Sequence, residues 1–238
     1  KSYFLQNMFH EIRTPLNGIQ GFISLLADHD ISKLEQKEFI EQISISADRL
    51  LKTMTDIIEI SKLEASELSL NIEEVNITAL FQHFYNQFLN KAQTKGISLK
   101  VSHDSSQSDI SIKTDHRKLS IILENLLSNA VKFTESGYIF FGYEKNENDL
   151  VIFIEDSGSG IPESDQNIIF GKFVQIDTGY TRRYEGNGLG LAVVKAISEQ
   201  LHARFWLSST PEKGTTFYLS LPLNQTNPFE SDPNLDKL

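Results

Sequence analysis

Apolar spacing constrains the first quarter of the chain more than any other feature. Leu5, Met8, Ile12, Pro15, Ile19, Phe22 and Leu26 recur at alternating intervals of three and four. That is the a/d stripe of a heptad helix, and it commits this face to another helix. Phe9, Leu16 and Ile23 widen the stripe on one side. Ile40, Ile43, Ala47, Leu50, Met54, Ile57 and Ser61 form a second stripe of the same kind. The segment between them, Asp28 to Lys33, is short and polar, so the helices are predicted to be antiparallel neighbours. Leu51, Ile58 and Ile60 lie outside the strict seam and need a partner. Two copies would bury this surface in a four-helix bundle, so the pattern predicts a homodimer.

The same phasing singles out one histidine. With Leu5 at position a, His10 falls at f, the position farthest from the seam. It is held outward on a rigid rod, with Glu11 beside it and Thr14 one turn on. Pro15 removes a backbone donor and crowds the preceding turn, which predicts a bend close to His10. His29, His83, His103, His116 and His202 lack such a neighbourhood and read as structural or surface residues.

The 238 residues suit one large domain or two modest ones. A net charge of -10 argues against non-specific binding to nucleic acid or anionic membrane. There is no cysteine, which removes disulfides, thiolate chemistry and cysteine-bound zinc. No apolar run is long enough to span a membrane, and no signal peptide is visible. The chain begins inside the helical pattern, so it reads as a piece of a longer protein.

The pattern changes near Leu70. Ile97–Val101, Tyr138–Tyr143, Leu150–Glu155, Arg204–Ser208 and Thr215–Leu221 read as strands. Thr78–Thr94, His116–Phe133 and Gly188–Leu201 read as helices. The last three strands lie near turn signals and are predicted to pair antiparallel. The fold class is therefore α+β. A helical hairpin over 1–68 precedes an α/β sandwich with a mixed sheet over 71–222, and 223–238 form a tail or linker.

Three motifs in this second part carry chemistry. Asn125 and Asn129 are four apart and share a helix face, with Lys132 a further turn along. Ile122, Leu126 and Ala130 mark the buried face of that helix. Amide oxygens suit magnesium, which keeps several of its waters and needs few protein ligands. Asn is mildly unfavourable in a helix interior, which makes the pair more telling. Asp156, with Gly158 and Gly160, follows an apolar strand, where a carboxylate can accept from an exocyclic amine. Gly186-Asn187-Gly188-Leu189-Gly190 opens a helix, where backbone N–H groups approach phosphate closely. It has no Rossmann βαβ frame and no Walker lysine. Gln175–Glu185 reads as a lid, anchored by Phe170 and Phe173. Thr215 and Thr216 start the last strand, where a hydroxyl can support a bound base.

In this order, the motifs resemble those of the sensor histidine kinases of two-component systems, over residues 1 to about 222. His10 to Pro15 is similar to the family's H box, and Asn125 to Lys132 to its N box. Asp156 to Gly160 resembles the G1 box, Phe170 and Phe173 the F box, and Gly186 to Gly190 the G2 box. Gly214-Thr215-Thr216 is a G3-like element. Asn187 stands where the family usually has Thr or Ser. Lys118 and Ile121 replace a common Arg and Gln.

The resemblance implies a dimerisation and phosphotransfer bundle joined to an ATP-binding domain of the GHKL type. It implies that ATP phosphorylates His10 and that the phosphoryl group passes to an aspartate of a response regulator. Glu11 is then general base or orienter, and Thr14 supports a phosphatase reaction on that regulator. Asn125 and Asn129 hold Mg2+. Lys132, Asp156, Gly158, Gly160, Phe173, Gly186, Gly188, Leu189, Gly190, Thr215 and Thr216 contact the nucleotide. The implied setting is the cytoplasmic portion of a membrane-anchored parent, with no nucleic-acid partner. Linear distance implies that the second domain swings to reach His10, with Pro15 as the weak point.

Two other readings remain at this stage. A GHKL ATPase driving clamp motion needs a carboxylate near the N box, and Glu124 is one residue off the Asn125 and Asn129 face. A non-enzymatic module with a decayed site is opposed by the intact acid, amide and glycine positions.

Overall fold

The structure, a computed structural model, describes residues 2–27, 31–64, 70–102, 110–175 and 187–223. Two long helices come first, α1 (Ser2–Leu26) and α2 (Lys33–Glu64). Ser32 starts α2 through a capping box. Its hydroxyl accepts from Glu35 N at 3.2 Å, and Glu35 Oε2 accepts from Ser32 N at 2.9 Å. The helices are antiparallel: Phe22 meets Phe39, Gly18 approaches Ser46, and Glu11 faces Arg49. Helix α1 continues through Pro15, which is buried in the seam.

The second domain runs β1 (Glu73–Asn76), α3 (Ile77–Thr94), β2 (Ile97–Val101), β3 (Ser111–Thr114), α4 (His116–Phe133), β4 (Gly137–Lys145), β5 (Asp149–Asp156), α5 (Gly190–Gln200), β6 (Arg204–Thr210) and β7 (Gly214–Pro222). Five strands form one sheet in the order β2-β4-β5-β7-β6. The β2–β4 pair is parallel and the other three pairs are antiparallel, which makes the sheet mixed. The helices cover one face. Along β5, Leu150, Ile152 and Ile154 alternate inward and are buried. They meet Leu119, Ile122, Leu126 and Ala130 of α4, and Val193, Val194 and Ile197 of α5, in a single core.

The sequence missed β1 and β3, which pair with each other and stand apart from the main sheet. Each is four residues long, too short for alternation to declare itself. Leu223, assigned to the tail, donates its N–H to Asn148 O at 2.9 Å and packs against the core.

Helix α2 belongs to both halves. Ile60, unexplained by the heptad seam, is 2% exposed because it enters the core of the second domain together with Ile57. Two polar contacts flank this junction. Asn187 Nδ2 donates to Asp56 Oδ2 at 2.7 Å, and Arg117 pairs with Glu59 at 2.9 Å.

Candidate functional site

The junction encloses a cavity of about 960 Å3, at the upper end of what small-molecule pockets span. His10, Glu11 and Thr14 of α1 line it, as do Asn125, Asn129 and Lys132 of α4. Asp156, Gly160, Gly188, Gly190 and Thr215 complete its wall from the second domain. The two halves of the predicted chemistry thus border one space.

Helix α4 carries the polar stripe because its start is fixed. Asp115 caps it by accepting from Lys118 N at 3.0 Å. At the other end, Lys95 Nζ donates to the carbonyls of Val131, Lys132 and Thr134 at 2.7, 3.2 and 3.3 Å. Asn125 is 6% exposed. Its Nδ2 donates to Ile121 O at 2.9 Å, and its Oδ1 accepts from Lys52 Nζ at 3.5 Å. A Cβ on Gly190 would sit 2.9 Å from that Oδ1, so a larger residue there would push on the Asn125 amide. Asn129 is half-buried on the cavity wall, one turn further on. Burial lowers the Lys132 pKa, and the charges of Arg49 and Lys52 lower it further.

Among the described residues, no three His, Asp or Glu side chains converge to hold a metal. The donors on offer are amide oxygens. These suit a magnesium ion that arrives on phosphate oxygens rather than a resident one. Asn129 is the better placed ligand, because Asn125 Oδ1 already receives Lys52.

Asp156 ends β5 with the same inward parity as Ile152 and Ile154, which explains its burial at 7% exposure. Burial raises its pKa to about 6, against the lowering effect of hydrogen bonds from the Gly158 and Thr215 backbones. Gly158 N donates to Asp156 Oδ1 at 2.9 Å. A buried carboxylate with few donors is ready to receive one from a ligand. Parity also separates the threonines. Thr215 points inward with Phe217 and lines the cavity. Thr216 is not on that wall; with Lys213 it borders a polar notch of about 150 Å3 that Asp156 and Thr215 also line.

The glycine loop is held from two sides. Gly188 has φ of +64°, and a Cβ there would lie 2.8 Å from the Phe173 and Val174 backbones. Phe173 N donates to Gly188 O at 2.8 Å, so Phe173 acts through the loop rather than on the cavity wall. Leu189 is fully buried, and its N–H donates to Asn187 Oδ1 at 3.1 Å. Phe170 stands edge-on to Phe205. Gly158 contributes its amide to Asp156 and does not line the cavity. Gly186 and most of the lid, residues 176–185, lie outside the described residues.

His10 has a side chain 76% exposed, as position f requires, and it lies on the cavity rim. Its Nδ1 is 3.9 Å from Glu11 Oε1. Glu11 is largely covered, and its Oε2 has no hydrogen-bond donor among the described residues, with Arg49 at 3.9 Å. Thr14 Oγ1 donates to the His10 carbonyl at 3.2 Å. Glu124 is turned away from the cavity and accepts from Gln87 at 2.7 Å, so it offers no catalytic carboxylate there.

Sequence reading missed Arg49, Lys52 and Asp56 of α2. They fall at intervals of three and four on one helix face, which was the available signal. A charged stripe off the apolar seam ordinarily reads as solvated surface.

The first 66 residues match the family model described as His Kinase A (phospho-acceptor) domain. Residues 114–225 match the one described as Histidine kinase-, DNA gyrase B-, and HSP90-like ATPase. Autoinducer 2 sensor kinase/phosphatase LuxQ of Vibrio vulnificus is 36% identical over 228 residues, covering 93% of this chain and 26% of LuxQ. Full-length ShkA in complex with AMPPNP superposes with a TM-score of 0.71 at 26% identity, over 95% of this chain and 46% of that one. Histidine kinase ThkA, in complex with response regulator protein TrrA, superposes at 0.69 with 28% identity, over 90% and 59%. The chain spans about a quarter to a third of the length of the curated relatives it matches.

Proposed function

The chain belongs to the sensor histidine kinases and carries their catalytic core, and we propose that it phosphorylates His10 from ATP and passes the phosphoryl group to an aspartate of a response regulator. The observation that carries this reading is the shared cavity, with His10 on one wall and the nucleotide residues on the others.

Asp156 accepts the adenine amine, Thr215 supports the base, and the amides of Gly188 and Gly190 meet the phosphates. Asn129, with Asn125 behind it, would hold Mg2+, and such an ion would supply charge neutralisation at the phosphates. Lys132 adds a fixed positive charge. His10 attacks through Nε2, because Nδ1 faces Glu11. A bond forms from Nε2 to the γ-phosphorus as the bond to the β,γ-bridging oxygen breaks, and that electron pair leaves on ADP. The Nδ1 proton passes to Glu11. Positioning and charge neutralisation supply most of such a rate.

The regulator docks on the exposed side of α1 around His10, as the name of the ThkA–TrrA complex suggests by analogy. Thr14, one turn from His10, orients water for dephosphorylation of the regulator, and the relative LuxQ is itself named a sensor kinase/phosphatase. The domains are read as 1–68, 71–222 and 223–238. The core is proposed to work as a homodimer on the cytoplasmic side of a membrane-anchored parent. No helix among the described residues is long and apolar enough to cross a membrane.

Incubation with γ-labelled ATP tests the assignment. Acid-labile, alkali-stable label is expected on the protein and absent from His10→Gln. Acid-stable label, or label that survives the substitution, refutes it. Asn129→Asp is expected to abolish labelling and leave the dimer intact.

A further inference from the structure

We propose that Asp56 of α2 is a positioning residue for nucleotide binding: through the Asn187 side chain it sets the glycine loop in the shape that presents its backbone amides to phosphate. The inference rests on the kinase reading above. It adds to that reading a residue of the first domain on which phosphate affinity depends.

The first observation is the orientation of one amide. Asn187 Nδ2 donates to Asp56 Oδ2 at 2.7 Å, and Asn187 Oδ1 accepts from Leu189 N at 3.1 Å. A primary amide donates only through nitrogen and accepts only through oxygen. A carboxylate on the α2 side therefore selects the nitrogen, which turns the oxygen toward Leu189. The flipped amide would set Nδ2 against the Leu189 N–H and lose both bonds.

The second observation is what that oxygen does. By taking the Leu189 N–H it closes a turn over residues 187–189 and directs the fully buried Leu189 into the core. Gly188 and Gly190, on either side of Leu189, are the loop residues that line the cavity, and α5 starts at Gly190. The far side of the loop is held by the bond from Phe173 N to Gly188 O. Asn187 is thus the side chain that ties this loop to the first domain.

The third observation is that Asp56 is itself held. It is 6% exposed, and the next residue, Ile57, packs with Ile60 against the second domain's core. Lys52, Glu59 and Asn187 are the groups whose charge or hydrogen bond acts on its carboxyl. Lys52, one turn earlier on α2, also donates to Asn125 Oδ1 at 3.5 Å, and a Cβ on Gly190 would sit 2.9 Å from that same oxygen. One turn of α2 therefore reaches both asparagines that flank the start of α5. A loop fixed in this way before phosphate arrives does not spend binding energy on being ordered.

Binding without turnover tests the proposal. The 238-residue chain is titrated with Mg2+-AMPPNP by calorimetry, and with adenosine, which lacks phosphate, by chemical-shift NMR. Asp56→Ala, and Asp56→Leu, which fills the buried site without an acceptor, are expected to bind AMPPNP about tenfold more weakly, a loss of about 1.4 kcal/mol. Adenosine affinity is expected to stay within about twofold of the parent in both. Asp56→Asn keeps an acceptor oxygen and is expected to recover most of the AMPPNP affinity. Asn187→Ala is expected to show the same loss as Asp56→Ala, and combining the two is expected to cost no more than either alone. Unchanged AMPPNP affinity in the Ala and Leu variants, equal loss on both ligands, no recovery in Asp56→Asn, or additive losses in the double variant overturns the assignment of Asp56 and leaves the kinase reading standing. A parent chain that binds neither ligand refutes the kinase reading, and this proposal with it.

Discussion

Asp156 illustrates how one side chain trades stability for function. Its carboxyl titrates near 6 in the fold against an ordinary 3.8, because burial disfavours the charge. The fold therefore binds this proton more tightly than the unfolded chain does. Below about pH 4 the residue is neutral in both states and costs nothing. As pH rises through the interval up to 6, stability falls, and above it a buried carboxylate remains as a standing penalty of about 2 to 3 kcal/mol. Asp156→Asn is expected to raise the melting temperature at pH 7.5 by several degrees and to lower ATP affinity at least a hundredfold. The parent's affinity for ATP is expected to weaken as pH falls below 6, and the Asn variant loses that dependence. Scanning calorimetry and titrations from pH 5 to 8 check both. A variant no more stable than the parent at pH 7.5 contradicts the burial argument.

Helix α2 is where residues far apart in sequence do their joint work. Its Asp56 is buried, with a pKa raised by burial against the lowering effects of Lys52 and Asn187. It receives the Asn187 amide, so the helix holds the glycine loop directly. Asn187 is, with Lys118 and Ile121, one of the departures from the motif pattern that the sequence resembles. Asp56→Ala leaves that amide without its acceptor, a loss of about 1 to 3 kcal/mol. Asp56→Asn keeps an acceptor oxygen. Hydrogen exchange at Gly188 to Leu191 is expected to accelerate at least fivefold in the first variant and to change little in the second. Matching exchange in both variants counts against the contact.

The element scale also shows what sequence carries. Helix α4 is predicted at its observed bounds, because the Ile122, Leu126 and Ala130 stripe is a local signal. His10, Asn125, Asn129 and Asp156 are legible for the same reason, each set within a few residues of its own helix or strand. Asp56 and Asn187 are 131 residues apart, and Lys52 and Asn125 are 73 apart. No local pattern encodes such a meeting. Thr216 is harder to place from sequence, since strand parity turns it away from the cavity wall that Thr215 lines.

At the scale of the whole molecule, the hairpin divides its apolar surface between two tasks. Ile57 and Ile60 face the second domain, whereas Leu51 at 63% exposure, Ile58 at 48% and Met54 at 46% remain open. Phe9 at 60% and Ile23 at 53% continue the open surface on α1. Side chains of this size are rarely left together in water, and a second hairpin is the partner whose pattern matches. The division makes the two interfaces separable. Leu51→Glu sets a charge in the proposed bundle core at a position that does not line the cavity. Light scattering is expected to give the mass of one 27.0 kDa chain for this variant and twice that for the parent. Binding of AMPPNP is expected to stay within threefold, because one chain lines the cavity proposed to hold the nucleotide. If dissociation instead abolished nucleotide binding, the cavity would depend on the second copy, and the separation of interfaces along α2 would not hold.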